Sequence, residues 1–136
     1  MRSPQRILAD ATVIAVVGAS REPGKAAHSV PLQMLRYGWR IIPVNPFVDE
    51  IFGLRAYPSL ADVPEPVDLV NVFRPARDAV GVVEQAVQIL APAVWLQTGI
   101  VSPQARRLAG EAGIDYVEDR CLAVERAAGN LSRLTG

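Results

Sequence analysis

The stretch Gly18-Ala19-Ser20-Arg21-Glu22-Pro23-Gly24-Lys25 gathers the residue types best suited to holding a charged ligand. Gly18 and Gly24 permit close backbone approach, Ser20 offers a hydroxyl, and Arg21 and Lys25 supply two cations ahead of a predicted helix. Free backbone N–H groups at such a place suit a diphosphate. Two better-defined phosphate patterns do not fit. The dinucleotide pattern G-x-G-x-x-G fails at Ser20 and lacks its third glycine; the P-loop pattern fails on the spacing from Gly18 to Gly24-Lys25 and on the missing Ser/Thr. Lys25 is the only lysine beside thirteen arginines, and its place in this loop supports the reading.

Other polar residues fall where strands are expected to end. A dinucleotide site calls for an acid at the end of the second strand, to accept from the adenosine ribose. Asn45 stands there, between Pro43 and Pro46. A neutral amide tolerates a phosphorylated ribose better than a carboxylate does, which favours a nucleotide such as coenzyme A. Asp49 and Glu50 keep the dinucleotide alternative open, and a plain strand-ending role for the two prolines is the simpler reading. Phe73-Arg74-Pro75 sets an arginine directly after a buried strand, able to pair with a phosphate or to stay solvated or salt-bridged. Gln97-Thr98-Gly99 adds two polar side chains and a flexible backbone suited to a ligand's middle portion. His28, near a helix start, reads as structural or capping, since no partner for base chemistry is spaced with it. Cys121, after Glu118-Asp119-Arg120, reads as a packed thiol rather than one activated by Arg120.

These loops need a scaffold, and the hydrophobic pattern supplies one. Thr12–Val17 is a β-branched run bounded by Gly18, as expected of a strand buried on both faces of a parallel sheet. A helix is predicted from Ser29 as N-cap, with Pro31 in its first turn, an apolar stripe at Leu32, Leu35 and Trp39, and an end at Gly38. Arg40–Val44 is the second strand. The turn-rich segment from Phe47 to Pro66 holds a short strand at Leu54–Tyr57 and a helical turn at Ser59–Asp62. Val67–Phe73 is a further strand, followed by a helix with Val80, Val83, Val87 and Leu90 on its apolar face, closed by Pro92. Ala93–Leu96 and Ile114–Val117 are strands around a helix striped by Ala105, Leu108, Ala109 and Ala112. Trp39 and Trp95 are expected in the core. Such alternation specifies an α/β fold, a doubly wound parallel sheet of five to six strands with helices on both faces. Its ligands bind beyond the carboxyl ends of the strands, which is where the polar loops fall.

Length and composition narrow the function classes. At 136 residues the chain has room for one domain, taken as residues 1–136. Fourteen basic and fourteen acidic side chains cancel, which argues against nucleic acid and anionic membrane as partners. One cysteine and one histidine build neither a disulfide framework nor a zinc site of the usual kind. With no apolar run near the ~20 residues of a membrane span and no signal-peptide core, the expected location is the cytoplasm.

Taken in order, Val16-Val17-Gly18-Ala19-Ser20-Arg21, Pro43-Val44-Asn45-Pro46, Tyr57-Pro58-Ser59-Leu60-Ala61-Asp62-Val63-Pro64, Asp68-Leu69-Val70-Asn71-Val72-Phe73-Arg74, Trp95-Leu96-Gln97-Thr98-Gly99 and Asp119-Arg120-Cys121 resemble the small stand-alone CoA-binding protein family. That family is similar to the amino-terminal, Rossmann-like CoA-binding domain of the succinyl-CoA synthetase α subunit and of ADP-forming acyl-CoA synthetases. The resemblance implies that Ser20 to Lys25 receive the CoA phosphates, that Asn45-Pro46 lie beside the adenosine, and that Phe73-Arg74 and Leu96-Gln97-Thr98 line the rest of the cofactor. It implies no catalytic residue, because the synthetases carry their phosphohistidine on a further domain. The chain departs from the family at Leu122, where a proline usually follows the cysteine. The leading expectation is therefore non-catalytic binding of CoA or an acyl-CoA, with a homo-oligomer or an unidentified protein partner left open. The alternatives are an NAD(H)-sensing module, a subunit of a split acyl-CoA synthetase, and an enzyme using Cys121.

Overall fold

The computed structural model describes residues 1–135. Five strands form one parallel sheet: β1 (Val13–Val17), β2 (Arg40–Val44), β5 (Leu69–Val72), β6 (Ala93–Leu96) and β7 (Asp115–Val117), in the order β2-β1-β5-β6-β7. Two two-residue strands, β3 (Glu50–Ile51) and β4 (Leu54–Arg55), make a separate antiparallel hairpin. Helices α1 (Pro4–Asp10), α2 (Ala26–Arg36), α3 (Ala76–Gln88), α4 (Pro103–Ala112) and α5 (Leu122–Ala128) complete the fold, with a single 3-10 turn at Leu60–Asp62.

Because strand side chains alternate between faces, the sheet carries two cores. On one face Ile14, Val16, Leu69 and Trp95 pack with Ile7 and Leu8 of α1, Met34 of α2 and Leu122 of α5. On the other, Ala15, Val70, Val72, Val94 and Leu96 pack with Val82, Val83 and Ala86 of α3 and Ala105 and Ala109 of α4. This is the doubly wound α/β sheet expected from the sequence, and both tryptophans lie in its core. From β1 the chain crosses to β2 on one side, and β5 then lies on the other, so the order reverses between β1 and β5. The crevice there is where such folds hold ligands.

The elements depart from the sequence expectation in several places. The helix expected with Ser29 as N-cap begins four residues earlier, with Lys25 at its N-cap, so Pro31 lies inside α2 rather than in its first turn. Its inward face is Val30, Pro31 and Met34, while Leu32 and Leu35 are only half-buried. Leu90, expected on the apolar face of α3, lies past its end with φ 63° and is exposed, while Ala79, Val82, Val83 and Ala86 are buried. Ala112 of α4 is likewise exposed. The strand expected over Leu54–Tyr57 is two residues long and pairs with β3. Finally, α1 and α5 add two short helices on the α2 face; Ser3 caps α1 by accepting the Arg6 N–H.

Candidate functional site

The loop after β1 is fixed at three points by the chain itself. Gly18 donates its N–H to the Val44 carbonyl at 2.9 Å, and Asn45 Nδ2 donates to the Ala19 carbonyl at 2.9 Å. The third anchor depends on Pro31. A proline has no N–H, so the Ala27 carbonyl, four residues earlier, lacks its ordinary helical donor; the Ser20 N–H lies 3.1 Å from it instead. The Ser20 hydroxyl in turn accepts the Glu22 N–H at 3.0 Å. Gly18 has φ +88°, and a Cβ there would lie 3.2 Å from the Cδ of Arg74, so glycine serves both the conformation and the close approach of the β5 loop.

The loop is electropositive. The first turn of α2 carries no acid, so its N-terminal dipole is uncompensated there. Lys25 Nζ lies 3.3 Å from Glu22 in an exposed pair, whereas Arg21 enters none of the ion pairs among the described residues. Arg74 pairs with Asp78 at 3.1 Å one helical turn on, the salt-bridged alternative weighed for it, with its aliphatic stem against Gly18. Asn45 uses both ends of its amide within the chain: Nδ2 on Ala19, and Oδ1 accepting the Phe47 N–H at 2.8 Å. It is thus built to position the loop.

Two cavities meet across Gly18 and Asn45. One, of about 610 Å³, is lined by the loop from Gly18 to Lys25 with Asn45, Val48 and Phe73. The other, of about 490 Å³, opens on the α3 side, with Pro46 and Arg74 in its wall. Its lining includes Phe47, Pro58, Ser59, Arg77, Gly81 and Gln85, which the reading of the sequence did not select. One signal for them was available: Arg77 follows Arg74 by one helical turn, on a helix already expected there.

At the far end of the sheet the expected residues separate. Gln97 is buried, its Oε1 near Asn71 Nδ2 and the Leu122 N–H at 3.5 and 3.4 Å, and so braces β5, β6 and α5 from within. Thr98 lines a third cavity with Asp119, Arg120 and Cys121. Gly99 donates its N–H to Asp119 Oδ1 at 2.7 Å, tying that loop to the one after β7. The charges here are engaged with each other: Arg120 with Glu125 at 2.8 Å, and Glu118 with Tyr116 and Arg106. Burial, reinforced by the Glu118 carboxylate, pushes the Tyr116 phenol well above its ordinary value. Cys121 is half-buried at the start of α5 and its side chain caps no helix N–H. His28 packs on the ring of Phe52, centroids 4.9 Å apart. Among the described residues no group of three His, Cys, Asp or Glu could hold a metal ion, and no helix is long and apolar enough to cross a membrane.

Comparison with known proteins agrees with the motifs. The chain is 39% identical over 123 residues to the uncharacterized protein YneT of Bacillus subtilis, covering 90% of this chain and 91% of that one. It is 33% identical over 119 residues to an ADP-forming acetate–CoA ligase of Archaeoglobus fulgidus, covering 85% of this chain but only 17% of the ligase. A solved structure from Thermus thermophilus superposes with a TM-score of 0.88 at 40% identity, covering 93% of this chain and 98% of that one. The family model described as a CoA binding domain matches residues 12–127, so this chain belongs to the CoA-binding domain family, related to the ADP-forming acyl-CoA synthetases.

Proposed function

We propose that the chain, as one unit, binds coenzyme A or an acyl-CoA without acting on it, through the loops at the carboxyl ends of the parallel strands. The observation that carries this reading is the pinned, electropositive loop from Gly18 to Lys25 at the point where strand order reverses. The diphosphate lies against that loop, with Arg21 as its unpaired cation and Lys25 beside it. The pantetheine arm runs past Phe73 toward Thr98 and Gly99, on the β6 side. Family membership supports this assignment. A dinucleotide fits less well, because the ribose-binding acid at the end of the second strand is replaced by Asn45, whose amide is already engaged.

Non-catalytic binding accords with the state of the reactive groups. His28 is held in an aromatic contact, and Glu118 and Glu125 are paired. Isothermal titration with CoA, 3′-dephospho-CoA and NAD(H) at one salt concentration tests the reading. CoA is expected to bind tightest, with a loss on removing the 3′-phosphate. Tighter binding of NAD(H) would overturn it in favour of a redox-sensing module, and turnover of acyl-CoA by the purified chain would overturn the non-catalytic part.

A further inference from the structure

The loop after β6 is held in place by the loop after β7. Gln97 to Ile100 form a turn closed by the Ile100 N–H on the Gln97 carbonyl at 3.0 Å, with Gly99 at φ +84°. That closure does not use the Gly99 N–H, which Asp119 Oδ1 accepts at 2.7 Å. Asp119 enters no ion pair among the described residues, whereas Glu118 and Glu125 on either side of it each hold an arginine. To reach Gly99 it adopts φ 56°, a left-handed conformation that few residues other than glycine take and that Asp and Asn tolerate best. The residue after it is fastened to the core, because the fully buried Trp95 donates its indole N–H to the Arg120 carbonyl at 2.8 Å. A chain of contacts therefore runs from the core through Arg120 and Asp119 to the tip of the β6 loop. The hydrogen bond at its end is exposed, so its loss would leave no buried group unsatisfied. Its effect is on position: it sets where Thr98 and Gly99 stand beside the cavity of about 460 Å³ that Thr98 shares with Asp119 and Cys121.

We infer that Asp119 is a positioning residue for ligand binding, its carboxylate holding the Thr98–Gly99 tip where the uncharged arm of the ligand is received. This rests on the CoA reading above, in which the pantetheine arm runs to Thr98 and Gly99, and it assigns a role to a residue that need touch no ligand atom. The β1 loop is held in the same manner, by a side chain from the loop after the neighbouring strand: Asn45 donates to the Ala19 carbonyl. The chemistry of the two holders suits what each loop is to receive. At the β1 loop the holder is a neutral amide, compatible with a diphosphate. At Gly99 it is a carboxylate, which repels a phosphate and leaves an uncharged amide arm unaffected.

The test separates the arm from the nucleotide. CoA and adenosine 3′,5′-bisphosphate, which lacks the pantetheine arm, are titrated into the full chain, Asp119→Gly and Asp119→Asn. Glycine takes a positive φ without strain and removes only the side chain, while asparagine tolerates the same backbone and keeps an oxygen for the Gly99 N–H. Asp119→Gly is expected to weaken CoA roughly fivefold to tenfold and to leave the bisphosphate within about twofold of wild type. Hydrogen exchange at the Gly99 amide should quicken in the same variant. Asp119→Asn is expected to recover CoA affinity to within about threefold of wild type, since the acceptor remains and only its charge is lost. Equal losses of both ligands in the glycine variant, unchanged CoA affinity in it, or an asparagine variant no better than the glycine one would each overturn the positioning role while the CoA reading stands. If wild type binds neither ligand, the CoA reading falls and this inference falls with it.

Discussion

The two ends of the sheet treat their polar groups in opposite ways. At the amino ends of the strands several polar groups are paired within the chain. Asp68 accepts the N–H groups of Thr12 and Val13 at 3.0 and 2.8 Å, Arg2 bridges Asp10 and Asp115, and the Trp39 indole donates to the Leu8 carbonyl. At the carboxyl ends, over β1 and β5, Arg21 and Arg77 join no ion pair among the described residues and two cavities stand open. An end closed by its own residues serves stability; an end with free cations and open cavities is the one to which the proposed binding is assigned. Substitutions at the first end should therefore change unfolding and leave affinity alone, and those at the second should do the reverse.

The largest stability effect is expected at Gly38. It follows α2 with φ +100°, and a Cβ there would lie 2.7 Å from the backbone carbon of Arg133. Gly38→Ala combines a disfavoured backbone conformation with a backbone clash and should cost ~3 kcal/mol in urea unfolding. Next is Asp68→Ala, which removes the acceptor of two N–H groups at the start of β1, that of Val13 partly buried, and should cost ~2 kcal/mol. Both variants, measured where they are fully folded, should bind CoA as wild type does. A shared loss of affinity would show that the two ends are coupled and would break the comparison.

Pro31→Ala probes the opposite end. The new N–H competes with Ser20 for the Ala27 carbonyl, so the loop loses an anchor while α2 gains a hydrogen bond. CoA affinity should fall roughly three- to fivefold, equivalent to about 1 kcal/mol, without any fall in thermal midpoint. Faster hydrogen exchange at the Ser20 amide would locate the change. Unaltered exchange together with unaltered affinity would show that the loop keeps its position without this anchor.

Much of this organisation was legible in the sequence. β1, β5 and β6 are continuous apolar runs because both faces of each strand are buried, and that pattern needs no knowledge of neighbours. The loop from Gly18 to Lys25 was legible for the same reason, since it begins where such a run stops. α1 and α5 were not. Each has seven residues and buries only two adjacent apolar side chains, Ile7 and Leu8 in one, Leu122 and Ala123 in the other, too few to display a helical period. The start of α2 was misplaced because Pro31 marks a first turn by preference, a preference offset here by a tertiary use for the Ala27 carbonyl. Arg77 and Gly81 carry little local signal, beyond the spacing of Arg77 from Arg74. They become interesting only when the fold sets α3 beside Phe47 and Pro58, which lie well before it in the chain.

The smallest expected effect belongs to the Arg40–Glu65 pair at the amino end, and it sharpens the comparison through pH. The hydrogen bond from Arg40, at 2.7 Å from its Nη2, holds the Glu65 carboxyl below its ordinary value. Because the folded value is the lower one, the pair's contribution is fully present above the ordinary glutamate range and is lost as pH falls through the lowered folded value. Arg40 stays charged throughout, so Glu65 alone sets the window. Both groups are solvent-accessible, which limits the contribution to about 0.5 kcal/mol. Urea unfolding of wild type and Glu65→Gln should differ by that amount at pH 7 and converge as the pH falls below the lowered folded value of Glu65. CoA affinity at pH 7 should be the same in both, since the carboxylate lies at the end of the sheet that is closed on itself. A difference in unfolding that persists at low pH would mean that the glutamate stabilises through packing of its stem instead of its charge.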